Sequence, residues 1–244
     1  MGGVERGSSA SLFREGRPPD LRSDGLMFTG IIETVGTISS VRERSGTREF
    51  VVQAPEISSE LKPGDSITVD GACQTAVRTD AGSFAIDTIG TTLSRTIARH
   101  YRVGSRVNLE RSMVLGGRLD GHLVQGHVDG VGRLLSVRQE GDYWLLDFQV
   151  PELVAQVTIL HGSITINGVS LTVNALPVDG QCQVGIIPFT WAHTNLGSMK
   201  PGDPVNLEGD LVGKYVAKLL SAWTGGGKLS LEGLEALGYG GDKV

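Results

Sequence analysis

The chain is short of cysteine and of aromatic residues, has no long apolar run and carries no excess of positive charge. Each shortage removes a class of protein. Two cysteines in 244 residues, Cys73 and Cys182, make no disulfide framework, and no Cys-x-x-Cys pair exists to hold zinc. Free thiols fit a reducing, cytoplasmic setting. No apolar stretch approaches the ~18 residues of a membrane span. With 22 basic against 27 acidic residues the net charge is −5, so nucleic acid and anionic membranes, which want a basic face, are excluded as partners. Aromatics make up only 5% of the chain against 35 glycines, so the core is expected to be Val, Ile and Leu between many tight turns.

What is present is a duplication. Ser66-Ile67-Thr68-Val69-Asp70-Gly71-Ala72-Cys73-Gln74-Thr75 aligns with Ser163-Ile164-Thr165-Ile166-Asn167-Gly168-Val169-Ser170-Leu171-Thr172, identical at five of ten positions. Gly30-Ile31-Ile32-Glu33-Thr34-Val35-Gly36 aligns with Gly126-His127-Val128-Asp129-Gly130-Val131-Gly132, and Val107-Asn108-Leu109-Glu110 with Val205-Asn206-Leu207-Glu208. The offsets of 96, 97 and 98 make the period one small domain, far longer than a solenoid repeat.

Short β-rich segments bounded by turn residues fill each repeat, at 34–41, 49–54, 66–69, 83–87 and 106–110 in the first. Lys62-Pro63-Gly64-Asp65 and Lys200-Pro201-Gly202-Asp203 are matching turns. Short helical pieces are expected at 55–61 and 151–160. The pattern predicts an all-β chain of two tandem six-stranded antiparallel β-barrels, at 27–114 and 115–208, with a C-terminal helix. In that helix, over 210–223, Leu211, Val212, Tyr215, Val216, Leu219, Leu220 and Trp223 form an apolar stripe behind Asp210 as N-cap. Glycines 225–227 end it, and a second helix is expected over 229–237; 209–244 form a helix and tail. Residues 1–26, with balanced Arg and Asp/Glu among Gly, Ser and Pro, read as a disordered extension or as the product of a start codon placed too early, with Met27 the functional beginning.

Three positions carry chemistry. Cys73 and Ser170 stand in equivalent places, two residues past a glycine and two before a threonine; each reads equally as a nucleophile or as a small turn residue. His127 faces Ile31 in the alignment, so one repeat alone has an imidazole there. It reads as an acid–base group oriented by Asp129, or as a structural histidine in a glycine-rich turn. His122 lies five residues before His127, on the opposite face of a continuous strand, with no third ligand near, which argues against a metal. Gly209-Asp210-Leu211-Val212-Gly213-Lys214 is one residue short of a phosphate loop.

At these residues the chain resembles the riboflavin synthase family. Met27-Phe28-Thr29-Gly30-Ile31-Ile32-Glu33 is similar to that family's amino terminus, and Gly121-His122-Leu123-Val124-Gln125-Gly126-His127-Val128-Asp129-Gly130 to the opening of its second barrel. Asn167-Gly168-Val169-Ser170-Leu171-Thr172-Val173, Ile187-Pro188-Phe189-Thr190 and Asp210-Leu211-Val212-Gly213-Lys214-Tyr215 complete the set, in order from Met27 to about Tyr239. The resemblance implies a homotrimer held by the C-terminal helix, with active sites between subunits. It implies cofactor- and metal-free dismutation of two 6,7-dimethyl-8-ribityllumazine molecules to riboflavin and 5-amino-6-ribitylaminouracil. Cys73, Ser170, His127 and Asp210 then take catalytic roles. Phe28, Thr29, Gly30, Ile31, Ser66, Thr75, Gly126, Thr165, Gly168 and Thr172 contact substrate, Phe28 by closing the site and the Ser and Thr hydroxyls by bonding the ribityl chain or pyrimidine edge. The chain departs from the family at Gln74, where Leu is usual, at Asp120, where Gly is common, and at Thr91 and Phe189, which are often Glu or His. The rival reading is a lumazine-carrying barrel protein without turnover; a flavin reductase is disfavoured because no nicotinamide-binding domain follows.

Overall fold

A computed structural model describes residues 27–224. The extension 1–26, the glycines 225–227 and the expected helix over 229–237 lie outside the described residues.

The first repeat contains β1 (Thr34–Arg44), β2 (Thr47–Gln53), α1 (Pro55–Ser58), β3 (Ser66–Val69), β4 (Ala72–Asp80), β5 (Ser83–Ile89), α2 (Gly90–Arg95) and β6 (Arg106–Arg111). The second contains β7 (Gly130–Glu140), β8 (Tyr143–Gln149), α3 (Glu152–Ala155), β9 (Ser163–Ile166), β10 (Val169–Ala175), β11 (Gln181–Ile186), α4 (Pro188–His193) and β12 (Pro204–Gly209). Each closes into a six-stranded antiparallel barrel, β1-β2-β5-β4-β3-β6 and its counterpart β7-β8-β11-β10-β9-β12. A single-turn 3₁₀ segment follows α2 and α4, at Ile97–His100 and Asn195–Ser198. The helix α5 (Leu211–Thr224) ends the described chain.

Six strands are needed because closure removes both sheet edges. The strand that the sequence pattern leaves out, β4, turns Ala72, Gln74 and Ala76 inward, which writes only a faint apolar alternation. The helical pieces are shorter than expected: α1 stops at Ser58 and α3 at Ala155, each one turn between barrel strands. The interiors hold the expected aliphatic residues, with phenylalanines that composition did not point to among the largest buried side chains. Ile38, Phe50, Ile67, Phe84, Ile86 and Leu109 fill the first barrel, and Leu134, Leu146, Phe148, Ile164, Ile166 and Leu207 the second, all buried to 1% exposure or less. Each such side chain contributes about 1.5–3 kcal/mol on burial.

The barrels meet across a polar, pseudo-symmetric seam. Asp70-Gly71 and Asn167-Gly168 form the β3–β4 and β9–β10 turns, and both Asp70 and Asn167 lie at positive φ (48° and 45°), a conformation Asp and Asn tolerate. A Cβ on Gly71 would sit 2.6 Å from the Gly168 nitrogen, so the turns touch backbone to backbone and admit only glycine. Asn108 donates from Nδ2 to the Asn167 carbonyl, and Asn206 from Nδ2 to the Asp70 carbonyl, at 2.9 and 2.8 Å. The symmetry breaks at one atom set. Asp70 Oδ2 accepts from the Tyr101 hydroxyl at 2.7 Å, and Oδ1 from Asn108 N and Asn195 Nδ2, each at 2.8 Å.

Candidate active site

The site follows from how the seam places the strands that leave it. Three residues beyond Asp70, on β4, stands Cys73; three beyond Asn167, on β10, stands Ser170. Each is covered by the segment that leads into the other barrel. The Gly30 carbonyl accepts from Ser170 N, and the Gly126 carbonyl from Cys73 N, both at 2.8 Å. A Cβ on Gly30 would lie 2.6 Å from Ser170 Cβ, and one on Gly126 2.7 Å from Cys73 Cβ; both glycines also hold a φ of 76°. Only glycine permits these approaches.

A buried glutamate at the end of each barrel anchors these lead segments. Glu110 accepts from Thr29 N and Thr29 Oγ1 at 2.7 Å and from Gly30 N at 3.0 Å. Glu208, its counterpart, accepts from Gln125 N at 2.9 Å. Burial raises the Glu110 carboxyl and pushes that of Glu208 up to about 7.

The crossing gives the two chemical centres different partners. His127, exposed on its loop, shares a pocket of about 250 Å³ with Cys73, walled by Thr91, Thr92, Arg95, Gly126 and Val128. Burial raises the Cys73 thiol, opposed by a hydrogen bond with Ser66, so the sulfur is a protonated thiol at neutral pH. Ser170 is paired with His122: its hydroxyl lies 2.7 Å from Nδ1, and Thr165 Oγ1 lies 3.2 Å from Nε2. Burial lowers the imidazole's pKa, partly offset by the Asp210 charge. Both neighbours are hydroxyls able to donate or accept, and the neutral tautomer that donates from Nε2 to Thr165 leaves Nδ1 free to accept from Ser170. In the sequence His122 reads only as half of a metal pair. Its closeness to Ser170 arises across 48 residues, although the Gly-His-x-x-x-Gly-His spacing marks both histidines.

The remaining expected residues divide. Thr29, Ile31 and Ser66 border a larger cavity of about 830 Å³ with Glu33, Glu110 and Arg111. Thr75 and Thr172 are exposed on β4 and β10, opposite Ser66 and Ser163. Thr165 is buried and engaged by His122, and Gly168 lies in the seam rather than in a pocket. Phe28 is fully buried, its backbone bridged to Val124. Asp210 caps α5, Oδ1 accepting from Gly213 N at 2.9 Å. Asp129 does not orient His127: its Oδ2 accepts from Gly209 N at 2.8 Å and pairs with Lys214 Nζ at 2.6 Å. Gln74 turns away from Cys73, since neighbours on a strand face opposite sides; its Oε1 accepts from Thr88 at 3.1 Å. Arg118 pairs with Asp120 at the surface, and Phe189 stacks on His193 at 4.1 Å between ring centres. Among the described residues no three His, Cys, Asp or Glu side chains gather as for a metal ion, and no helix is long and apolar enough to cross a membrane.

A family model described as the lumazine binding domain matches twice, at residues 29–112 and 125–210, once over each barrel. The riboflavin synthase of Mycobacterium tuberculosis (strain H37Rv) is 40% identical over 198 residues, covering 80% of this chain and 98% of that one. The chain belongs to the riboflavin synthase family of lumazine-binding proteins. Two further family members, from Photobacterium phosphoreum and Bacillus subtilis, are 39% and 35% identical, each aligning over 80% of this chain and covering 89% and 90% of their own. The family's fold is also that of LumP. Its crystal structure with 6,7-dimethyl-8-(1′-D-ribityl)lumazine superposes at a TM-score of 0.68 with 26% identity, over 75% of this chain and 98% of that one. LumP with riboflavin superposes at 0.70 with the same identity, over 75% and 99%.

Proposed function

We infer that the chain is a riboflavin synthase, a transferase that takes two 6,7-dimethyl-8-ribityllumazine molecules to riboflavin and 5-amino-6-ribitylaminouracil. The observation that carries this reading is the crossing of the two lead segments, which leaves two equivalent positions in one chain with distinct chemistry, Cys73 beside His127 and Ser170 beside His122. Identical substrates then meet non-identical surroundings, and one becomes donor and the other acceptor. The four carbons lost by the donor ring are those gained by the acceptor, so the exchange is redox-neutral and needs no cofactor.

In the second barrel, His122 takes the proton of Ser170 as that hydroxyl, or a water it holds, adds to a lumazine at C7. In the first, Cys73 lies beside the acid–base group His127, with Thr91 and Thr92 offering hydroxyls to the ring or ribityl chain. Ser66, Thr75 and Thr172 extend this set, since a polyol needs such partners once desolvated. Thr29, Gly30 and Ile31 with Gly126 form the lids, Phe28 anchors the first of these, and Asp210 sets the charge felt by His122. Holding two rings face to face supplies roughly 7–11 kcal/mol of barrier lowering.

A homotrimer is supported by α5, which leaves Val212, Tyr215, Val216 and Leu219 between 48% and 64% exposed. Barrels of neighbouring subunits then face each other and bring two lumazines together. The chain divides accordingly at 27–114, 115–208 and 209–244, and its free Cys73 and Cys182 support a cytoplasmic enzyme.

The test is incubation of the purified chain with 6,7-dimethyl-8-ribityllumazine alone, followed by chromatography. One riboflavin per two lumazines consumed is expected. Tight binding without riboflavin would make the chain a lumazine carrier instead.

A further inference from the structure

The two barrels anchor their lead segments differently. In the first the device is local. Glu110 is satisfied by Thr29 and Gly30, and Glu33, which accepts from Arg111 N at 2.6 Å, is neutralised by the Arg111 guanidinium on the same strand. In the second, the glutamate and the glycine are kept, as Glu208 and Gly126, while the other parts have changed, with Asp129 standing for Glu33. Gln125 replaces Thr29, so no hydroxyl reaches Glu208, whose Oε2 is buried without a hydrogen-bond partner. Gly209 replaces Arg111, and a Cβ there would lie 2.4 Å from Val157 Cγ2, so the strand cannot supply its own cation. The cation comes instead from α5. Lys214 Nζ lies 2.6 Å from Asp129 Oδ2 and 4.0 Å from Glu208 Oε1.

We propose that Lys214, acting on Asp129 and Glu208, is the positioning residue through which α5 holds the Gln125–His127 segment over Cys73. The chain of contacts is short. Lys214 meets Glu208, which accepts from Gln125 N; the next residue, Gly126, bonds Cys73 N and admits no side chain; His127 follows into the pocket. Lys214 and Asp129 are about a quarter exposed and Glu208 is 2% exposed, so the pair is screened from water on the Glu208 side. Lys214 reaches Cys73 only through this segment; its charge also helps lower the His122 pKa, so the labelling of Cys73, which His122 does not touch, is the readout that isolates the segment. The helix that carries the trimer face thus also completes the first-barrel pocket, a role that rests on the dismutase reading for its effect on turnover.

The test uses the full chain and two readouts. Iodoacetamide labelling of Cys73, followed by mass spectrometry with buried Cys182 as internal reference, reads the segment without any reaction. Riboflavin formation reads its consequence. Lys214→Met is expected to raise Cys73 labelling about fivefold with Cys182 unchanged, and to lower kcat/KM about tenfold; Lys214→Arg restores both to within about threefold. Glu208→Gln added to Lys214→Met is expected to cost no more than Lys214→Met alone. Wild-type labelling and turnover in Lys214→Met would overturn the proposal, as would equal rises at both cysteines or losses that multiply in the double variant. Should Lys214→Met fail to fold, Asp129→Asn carries the same expectations. A wild-type chain that makes no riboflavin would defeat the dismutase reading while leaving the labelling result to stand or fall alone.

Discussion

Ser170 and His122 are in direct hydrogen-bond contact at 2.7 Å, and their joint role is read by substitution. Ser170→Ala and His122→Ala are each expected to lower kcat about a hundredfold with an unchanged thermal melt, and the double variant to lose little more than either alone, since they act as one unit. Full activity in His122→Ala, measured by steady-state riboflavin formation, would remove it from the mechanism. Asp70 is the second decisive residue. Burial raises its carboxyl to about 7 against the donors Asn108, Tyr101 and Asn195, and burial does the same to Glu208. Both folded values exceed the unfolded ones near 4, so the folded chain holds these protons more tightly. The resulting stability is whole below pH 4 and is lost as pH rises toward 7, each carboxyl giving up about 1.4 kcal/mol for every pH step of one across that range. Asp70→Asn should flatten that slope in urea titrations from pH 5 to 8. The repeat itself tolerates the residue, as Asn167 holds the same turn. Asp70→Ala, which orphans three donors, should cost about 3 kcal/mol.

At the level of elements, α5 carries two demands on one short helix. Its N-terminal turn serves the site, with Asp210 as cap and Lys214 reaching Asp129, while Val216 and Leu219 stand exposed on the outer stripe. The faces are separable. On the proposed trimer, Val216→Asp combined with Leu219→Asp should shift the sedimentation profile to that of a monomer, and an unchanged profile would exclude α5 as the contact. The strands are simpler. Most of them are legible in the sequence because a closed barrel imposes alternation and turn chemistry along the chain. β4 is obscured because its inward residues are Ala72, Gln74 and Ala76, and α2 and α4 because they bury no residue and so carry no apolar stripe.

Across the whole molecule, the chain is held together by a contact between its two copies of one turn. Gly71 and Gly168 touch, the asparagines at 108 and 206 bond across, and the lead segments cross from one barrel to the other's chemical residue. The duplication therefore does more than repeat a fold. It brings His127, on the segment leading into the second barrel, to Cys73 of the first, whereas His122 and Ser170 pair within the second half.

The sequence by itself determined the duplication, the barrel class, the capped final helix and the family, because all of these are written in local periodicity, turn glycines and ordered motifs. The tertiary structure alone decided who meets whom. Asp129 lies two residues from His127 yet binds Lys214, 85 residues away, and Gln74 neighbours Cys73 yet faces Thr88. The physical reason is that strand alternation and barrel closure set direction locally, whereas side-chain pairing depends on register between segments that only the seam brings together.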